Sequence, residues 1–567
     1  MNIIKTRFDP KNDWYDSKCE NFRQKMLDSL DTYRNSENDL DRKKYVERRS
    51  NYNKLCDEKK LNLAITNINK LNTAEWWNLA NSLRKAPPKI GNNLSNDDFF
   101  NFFQNLLHNN NPIPQIQWCL MQNVDPFLDS PFEHREIMLV LNNLKDHKAP
   151  GLDRISYEFY KNAPLSYVIE LFGIFNKIFL SQQIPKSFLK SIIIPCFKKG
   201  DVNTVSNYRC ISLLDSVYKI FTGLILNRLN AWLECRNIVT EFQAGFRKNY
   251  STVDNLFNLT SIIQLNFNEG KKTYAFFVDF SSAFDMIPRN SLWYKLSSIG
   301  LSNKFVILLK KLYEGTTSQV WDGSELSKPF TVSQGVKQGC LLSPVLFSLY
   351  LNDLNDVLPH GVTIAGIKIK VLLYADDIVL LSNSPVELQK MIDALYNYCS
   401  MWGLILNLNK SKILVFRKST RLSSNLTWNY GENNIEVVNE YKYLGITLTF
   451  NLSFVKHLQS KLLSSKTAIN ANWLKYIFNP KISISNKLKI FDSAAKSIMF
   501  YGAQVWGYRS YDDVEKLFRY FIKKILYLPT NTPNYMLHIE TGLSSLFIGT
   551  LDLHLSYIKK NFYPPRD

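Results

Sequence analysis

Residues Val371–Leu381 have the sequence VLLYADDIVLL, in which two apolar runs flank the acidic pair Asp376–Asp377. Apolar runs on both sides of a short polar step predict a β-hairpin with the polar residues at its tip. Carboxylates normally avoid such surroundings, because burial of an unpaired charge costs several kcal/mol. The acids therefore point to a bound ligand, or else they only supply the chemistry of a turn.

A third acidic residue in a similar setting lies earlier in the chain. Residues Thr273–Phe280 have the sequence TYAFFVDF, and this apolar run predicts a strand that ends at Asp279. A divalent cation would offset the cost of three carboxylates beside apolar strands, and oxygen ligands are those that Mg²⁺ prefers. Two ions about 4 Å apart would activate an attacking hydroxyl and neutralise a leaving pyrophosphate. Asp279, Asp376 and Asp377 are therefore candidate ligands for two Mg²⁺ ions, with Mn²⁺ as an alternative metal.

The rest of the chain predicts an α/β centre between two helical regions. Strands are predicted at Lys190–Phe197, Lys412–Phe416 and Tyr441–Thr447, and helices at Leu213–Trp232, Leu341–Leu354 and Pro385–Trp402. Further helices are predicted near 453–476, 484–500 and 511–527, where Lys residues face away from Leu, Ile and Phe. We expect an α+β fold with a helical N-terminal arm or linker at 1–125, a centre at 126–450 and a helical region at 451–567.

The composition predicts a globular protein with a polyanionic partner. The chain has 567 residues, of which 45% are hydrophobic, and this excludes a wholly disordered, collagenous or coiled-coil protein. Lys and Arg total 69 against 50 Asp and Glu, which gives a net charge of +19. Such an excess favours a phosphate-rich partner, because basic side chains release counterions from phosphates. A basic protein that is merely soluble remains the alternative.

Targeting and cysteine patterns predict an intracellular protein. Residues Met1–Tyr15 contain no apolar h-region, and no run of about 18 apolar residues occurs, so we expect neither secretion nor a membrane partner. The eight Cys residues form no C-x-x-C pair, which argues against zinc fingers and a disulfide framework. The nucleus and the cytoplasm are both compatible with these features.

An ordered series of motifs surrounds the three acids. The motifs are KAPGLDRIS (148–156), NYRCISLL (207–214), FQAGFRKNYST (242–252), FVDFSSAFD (277–285), GVKQGCLLSPVLF (335–347), YADD (374–377), LNLNKSK (406–412) and YLG (443–445). In order and spacing they resemble the reverse transcriptases of non-LTR (LINE-type) retrotransposons, most closely the jockey-like group, over about residues 130–450. The resemblance implies a right-hand polymerase fold, with fingers and palm at 126–450 and a thumb within 451–567.

The resemblance also implies the reaction and its partners. Such a protein is an RNA-directed DNA polymerase, a nucleotidyltransferase in which a primer 3′-OH attacks the α-phosphate of a dNTP. Its partners would be an RNA template, a DNA primer and dNTPs. Asp279, Asp376 and Asp377 match the palm acids, of which Asp279 and Asp376 would hold the metals most directly.

Three positions match residues that bind the incoming nucleotide. Arg209 and one of Lys198 or Lys199 would grip the triphosphate, since their donors suit phosphate oxygens. Phe284 matches a steric gate, a ring that would clash with a ribose 2′-OH and so favour deoxynucleotides. Surface salt bridges and an ordinary core aromatic are the corresponding alternatives.

The remaining matches lie in three loops. Gln338 and Gly339 match the loop near the templating base pair, where Gly allows close backbone approach. Lys410 matches the lysine that protonates the leaving pyrophosphate, although Lys412 is a close rival and a solvated loop lysine is the alternative for both. Template-backbone contacts are expected of Arg247 and Lys248.

Three positions depart from the pattern of the family. Lys often stands where this chain has Ser282, Pro where it has Cys210, and a second basic residue where it has Asn249–Tyr250. None of these positions is a metal acid or Arg209. Activity is therefore still expected, with a weaker grip on the template.

Two other functions compete with the polymerase. One is a catalytically idle nucleic-acid-binding relic or domesticated fragment, although the three acids are intact. The other is a viral RNA-dependent RNA polymerase, which Ala375 and Phe284 disfavour. No endonuclease motif precedes or follows the series, so we expect no DNA cleavage by this chain and a nick supplied by another chain.

Overall fold

The computed structural model describes residues 14–36, 38–68, 93–108, 123–419, 422, 426–470 and 479–562. The chain forms two compact units, one of Pro87–Phe454 and one of Met1–Ala86 with Val455–Asp567. Helices and strands both contribute, so the fold is α+β as predicted. The division at residues 125 and 450 stays a prediction, because compactness alone does not assign an arm, fingers, palm or thumb. Parts of the predicted arm, at 1–13, 69–92 and 109–122, lie outside the described residues.

A five-stranded sheet, here called the central sheet, lies within Pro87–Phe454. Its strands follow the order Val437–Val438, Lys412–Phe416, Thr273–Val278, Asp377–Ser382 and Val371–Tyr374. The first two strands pair in parallel and the others are antiparallel. Every residue of the middle strand, Thr273–Val278, is buried, which explains its continuous apolar sequence. Asp279 is therefore the first residue to emerge from a fully buried strand.

The predicted acidic hairpin is confirmed. Tyr374 pairs with Asp377, which leaves Ala375 and Asp376 as the two turn residues. Ala375 has φ of +56°, a left-handed conformation that suits the tight two-residue turns of hairpins. Val278 pairs with Ile378 on the neighbouring strand, so Asp279 leaves the sheet beside Asp377.

A four-stranded sheet, here called the second sheet, lies in the same unit. Its order is Tyr208–Leu213, Lys190–Phe197, Thr317–Val320 and Phe330–Thr331, and the strand at Lys190–Phe197 confirms the prediction. The helix Asn96–Leu107 packs on this sheet through an aromatic cluster. In that cluster Phe99 lies edge-on to Tyr208, with ring centroids 5.0 Å apart.

Helices surround the two sheets and enclose the main hydrophobic core. The helix predicted at Pro385–Trp402 has those bounds, and the one predicted at Leu213–Trp232 begins three residues later, after Asp215. The helix predicted at Leu341–Leu354 is wrong in extent, because the turn after Tyr350 divides it into Ser343–Tyr350 and Leu354–Val357. The other helices of this unit are Pro126–Asp129, His134–Asn142, Tyr157–Lys161, Leu165–Ser181, Thr252–Asn268, Arg289–Ser298 and Asn303–Tyr313, with 3₁₀ turns at Lys186–Leu189 and Val205–Asn207.

Three short hairpins complete this unit. The single strand predicted at Tyr441–Thr447 is wrong: Glu440–Tyr443 and Ile446–Thr449 form a two-stranded hairpin. Its turn contains Leu444 and Gly445, both at positive φ, and a leucine does not normally indicate such a backbone. The other hairpins are Val362–Ile364 with Ile367–Ile369, and Asn429–Tyr430 with Asn433–Asn434.

The second unit is helical in its described residues. Among these residues, two helices lie before residue 87 and six helical segments lie after residue 454. They are Ser17–Ser36, Asp39–Ile68, Val455–Asn470, Ile484–Phe491 (extended by a π-helical turn at Asp492–Lys496 and by Ser497–Met499), Ala503–Trp506, Asp512–Ile525, Asn534–Thr541 and Leu546–Phe562. The three helices predicted near 453–476, 484–500 and 511–527 are present, although 471–478 lie outside the described residues. Within the described ranges, no helix has the length and apolar character needed to cross a membrane.

Candidate active site

A cavity of about 630 Å³ in the unit Pro87–Phe454 collects residues from five of the sequence motifs and from Lys198–Lys199. The predicted site residues that line it are Lys198, Lys199, Arg209, Asp279, Phe284, Gln338, Gly339, Asp376 and Lys410. Arg247 and Lys248 instead line a separate cavity of about 590 Å³. The fold thus brings most of the predicted residues together, and it separates the two expected to contact template.

The three acids lie close enough to repel one another. Burial raises the pKa of Asp376, and the negative charge of Asp279 raises it further, against the opposing charges of Arg209 and Lys198. Burial of its carboxylate, followed by the charges of Asp376 and Asp279, raises the pKa of Asp377 to about 6. Such mutual repulsion marks a place where a positive ligand would be stabilised.

The donor chemistry of this place suits a hard divalent cation. The candidate ligands here are carboxylate oxygens, which hard divalent cations prefer. A cation shared by the three carboxylates would offset their mutual repulsion. Among the described residues, however, no group of three or more His, Cys, Asp or Glu side chains is already arranged to hold a metal ion. Asp279, Asp376 and Asp377 therefore remain proposed ligands.

Lys410 lies directly against the first acid. Its Nζ is 3.2 Å from Oδ2 of Asp279. The same loop holds the main chain of Asp279, because Ser411 Oγ accepts its N–H at 3.0 Å and Asn407 N–H donates to its carbonyl at 2.8 Å. Lys412, by contrast, pairs with Glu436 at 2.6 Å. The position of Lys410 favours it over Lys412 for a role at this site.

Cations line the same cavity as the acids. Arg209 is exposed on the strand Tyr208–Leu213, and Lys198 follows the neighbouring strand, where its N–H donates to the carbonyl of Asn207 at 2.9 Å. Burial, then the positive charges of Arg209 and Lys410, lower the pKa of Lys198. Crowded cations beside open space favour an anionic ligand. Lys199 lines the same space, so the choice between Lys198 and Lys199 stays open.

Phe284 is half-buried in the cavity wall. Its ring stacks on Phe347, with centroids 4.5 Å apart and planes inclined by 15°. The ring of Phe246 lies nearly perpendicular to it at 6.4 Å. The side chain is thus held by core packing while it faces the cavity, so the two interpretations of Phe284 are compatible.

The loop at Gln338 and Gly339 is fixed against the second sheet. Ser212 N–H donates to the carbonyl of Gln338 at 2.7 Å. A Cβ atom at Gly339 would lie 2.2 Å from the carbonyl oxygen of Ser212, and Gly339 has φ of +140°. Only glycine permits this approach. The side-chain Nε2 of Gln338 donates to Oδ2 of Asp285 at 2.7 Å.

Gln243 supports the acidic turn, a role that the sequence did not reveal. Its side chain is fully buried, and its Oε1 accepts the N–H groups of Gly245 at 2.9 Å and of Ala375 at 3.0 Å. A Cβ atom at Gly245 would lie 2.3 Å from the nitrogen of Ala375. The FQAG motif therefore packs directly under the turn that carries Asp376. The motif FQAGFRKNYST indicated that this region is functional, but nothing in it indicated the role of Gln243.

Tyr441 and Asp285 were also missed. Tyr441 stacks on Phe277 with centroids 4.4 Å apart, and burial, together with Asp279 and Asp377, raises its pKa to about 12. Asp285 is almost fully buried and belongs to the lining of the cavity. Only its position at the end of FVDFSSAFD could have marked it.

Arg247 and Lys248 differ in how they are held. Arg247 Nη1 donates to the carbonyl of Thr240 at 3.2 Å, its Nη2 is 3.6 Å from Glu241, and its guanidinium lies over the ring of Tyr250. Lys248 is exposed. Lys248 is therefore better placed than Arg247 to meet a ligand without breaking internal contacts.

The sequence of this region matches a known family. Residues 197–448 match the model described as reverse transcriptase (RNA-dependent DNA polymerase). This chain belongs to the reverse transcriptase family. It has the right-hand polymerase fold that the motif series predicted. Both predictions are thereby confirmed.

Its relatives are polymerases of non-LTR retrotransposons, including jockey and X-element, as predicted. An RNA-directed DNA polymerase from mobile element jockey of Drosophila funebris is 31% identical over 418 residues, which cover 72% of this chain and 44% of the relative. A probable RNA-directed DNA polymerase from transposon BS of Drosophila melanogaster is 28% identical, over 77% of this chain and 50% of the relative. The chain spans about half the length of these curated relatives.

Among solved structures, an apo telomerase from Candida tropicalis is similar at 12% identity and a TM-score of 0.35. The match covers 70% of this chain and 72% of the telomerase chain.

Proposed function

We propose that this reverse transcriptase is an active RNA-directed DNA polymerase that extends a primer 3′-OH with dNTPs on an RNA template. The observation that carries the proposal is the cavity of about 630 Å³, where acids, cations and an aromatic wall from distant motifs meet. A cavity lined by both carboxylates and cations suits a ligand that brings both phosphate and metal.

Each group in the cavity has a proposed task. Asp279 and Asp376 would hold two Mg²⁺ or Mn²⁺ ions, with Asp377 as a supporting charge; such ions, when bound, stabilise the attacking and leaving oxygens of a displacement. Arg209 and one of Lys198 or Lys199 would hold the triphosphate of the dNTP, because these cations line the same cavity as the acids. Lys410 would give its proton to the pyrophosphate as it leaves.

Sugar selection is the proposed task of Phe284. Stacking on Phe347 prevents the ring from moving aside, so a ribose 2′-OH would meet a fixed wall. We expect Phe284→Ala or Phe284→Val to reduce discrimination against rNTPs by about 10- to 100-fold, since removing a close steric contact changes selectivity by about 1–3 kcal/mol. Single-nucleotide extension with matched dNTP and rNTP measures the ratio. Unchanged discrimination would remove the gate role.

Nucleic-acid contacts are proposed at two places. Lys248, with Arg247, would meet the template backbone. In the other unit, a cavity of about 550 Å³ is lined by Lys466, Lys516, Arg519, Tyr520, Lys523, Lys524 and Tyr527. Charge of this sign beside aromatic rings suits a single nucleic-acid strand.

Primer extension by the purified chain tests the proposal. The assay contains an RNA template, a DNA primer, dNTPs and Mg²⁺, and Asp376→Asn serves as the matched control because it removes one charge without changing side-chain shape. Extension by the wild type that the variant lacks would support the polymerase. Salt-dependent binding to the RNA–DNA hybrid without extension would instead favour the idle nucleic-acid-binding relic.

A further inference from the structure

Asp285 links two segments of the candidate active site. It is 5% exposed, and each of its carboxylate oxygens has one partner. Oδ1 accepts the thiol of Cys210 at 3.2 Å, and Oδ2 accepts Nε2 of Gln338 at 2.7 Å. Cys210 belongs to the strand of the second sheet that also carries Arg209, whereas Gln338 belongs to the GVKQG loop.

This link fixes the orientation of the Gln338 amide. A glutamine amide has a donor end and an acceptor end, and only the donor end can face a carboxylate. Rotation of the amide by half a turn would place Oε1 of Gln338 against Oδ2 of Asp285 and repel it. The main chain of Gln338 is held separately by Ser212. Asp285 therefore holds the side chain of Gln338 in place, and Ser212 holds its main chain.

The link also reaches the strand that carries Arg209, through the side chain of Cys210. Here the Cys210 thiol engages Asp285, and the next residue along the strand, Arg209, lines the cavity. A single buried carboxylate thus restrains both the amide of Gln338 and the strand that presents Arg209.

We propose that Asp285 is a positioning residue for the incoming dNTP, acting through Gln338 and the Cys210–Arg209 strand. The inference rests on the proposed function of the cavity. The hydrogen bonds of Asp285 go to Cys210 and Gln338, so we expect its loss to weaken the grip on the nucleotide and to leave the chemical step largely intact.

Equilibrium binding of dNTP to the full chain, loaded with an RNA template and a dideoxy-terminated primer, tests this proposal without any turnover. The variants are Asp285→Ala, Asp285→Asn, Gln338→Ala and the double variant Asp285→Ala/Gln338→Ala. We expect Asp285→Ala to raise the dNTP Kd about tenfold, because it removes a hydrogen bond to a charged group. Asp285→Asn keeps an acceptor for Gln338 and should recover most of the affinity.

The double variant separates positioning from a general structural role. If Asp285 acts in part through Gln338, the Kd increase of the double variant is smaller than the product of the two single increases. Independent, additive losses would overturn the proposal. So would an unchanged Kd in Asp285→Ala. Steady-state primer extension supplies a second measure. In Asp285→Ala the KM for dNTP should rise, while kcat should change by less than about twofold.

Asp215→Ala is the matched control. Asp215 is another buried carboxylate of the same unit, and it does not line the cavity. We expect this change to leave the dNTP Kd unaltered, and an equal loss in both variants would contradict a specific role for Asp285. If Asp285→Ala does not fold, Asp285→Asn and Cys210→Ala still test the link, with an expected Kd increase for Cys210→Ala of about twofold to threefold. A wild type that binds dNTP but does not extend a primer would contradict the proposed function and leave this measurement intact.

Discussion

Two groups of charged side chains in the unit Pro87–Phe454 are held in opposite ways. Lys295 is 3% exposed, and its Nζ donates to the carbonyl of Tyr350, to Asp353 and to the hydroxyl of Tyr398 at 2.6–2.7 Å. Its three donors are thus all used. Asp376 is half-buried and Asp377 is exposed, and the charges of neighbouring acids raise the pKa of both carboxyls.

The difference separates a structural charge from a functional one. Burial lowers the pKa of Lys295 to about 8 even with Asp353 beside it, but every partner stabilises the cation. At the acidic turn the neighbouring acids destabilise the carboxylates, and the arrangement costs folding free energy that a bound cation would recover. A site that is unfavourable without its ligand is a candidate for function.

The largest effect is expected at the acidic turn. Asp376→Asn should reduce primer extension on the order of 10³-fold or more, because a metal-binding charge in a displacement reaction contributes several kcal/mol. The same change should raise the midpoint of thermal unfolding in metal-free buffer, since it removes a like charge beside Asp377. Differential scanning calorimetry with and without Mg²⁺ measures the second effect. A lower midpoint would contradict the view that these acids repel one another.

The opposite pattern is expected at Lys295. Lys295→Met should lower the free energy of unfolding by about 1–3 kcal/mol, because the buried Tyr350 carbonyl and Tyr398 hydroxyl lose their donor. The rate of extension per folded molecule should stay unchanged. Denaturant unfolding and active-site titration measure the two quantities. A Lys295→Met variant that is fully stable but inactive would contradict the view that Lys295 is a structural charge.

The pH dependence of stability extends the comparison to the buried carboxylate of Asp285. Burial raises the pKa of Asp285 to about 6, against the hydrogen bonds from Cys210 and Gln338. The folded chain therefore binds more protons than the unfolded chain between about pH 4 and pH 6. The contribution of Asp285 to the free energy of unfolding should fall as pH rises through this window, by about 3 kcal/mol, and stay flat above it.

Chemical denaturation of the wild type and of Asp285→Asn between pH 4.5 and pH 7 measures this contribution as the difference between the two profiles. Other acids titrate in both proteins and cancel in the difference. A difference that does not vary with pH would mean that Asp285 is not strained by burial.

Local pattern was enough to predict the elements that carry the acids. The hairpin at Tyr374–Asp377 and the strand before Asp279 follow from apolar runs, since side-chain alternation and burial are written in neighbouring residues. Leu444 shows the limit of such patterns, because its positive φ turns one expected strand into a hairpin. The backbone there is set by the packing of the hairpin rather than by the residue type.

The supporting contacts could not be predicted from local pattern. Gln243 meets Ala375, which is 132 residues away, and Gln338 meets Asp285, which is 53 residues away. Both are amide side chains, and the role of each depends on a partner that is distant in sequence and is brought close only by the tertiary fold. The choice between Lys410 and Lys412 could not be predicted for the same reason. The two lysines are only two residues apart, yet Lys410 contacts Asp279 and Lys412 contacts Glu436.

The smallest expected effect concerns the basic cavity of the helical unit, where charge is again only partly compensated. Arg519 and Lys516 pair with Asp512, and Lys516 also with Asp513. Lys523 donates to the neutral carbonyl of Thr530, a contact that leaves its charge uncancelled. This cavity should therefore attract phosphate as the acidic turn attracts cations.

The double variant Lys466→Gln/Lys523→Gln tests this expectation. The slope of log K against log salt for single-stranded RNA should become shallower by about 1.4, because each lost phosphate contact removes about 0.7. The charge-matched control is Lys559→Gln/Lys560→Gln, two exposed lysines outside the cavity lining. An equal change in both double variants would mean that only the net charge of the chain matters. A change confined to the first would mean that the cavity organises charge for a strand, which is the cationic counterpart of the acidic turn.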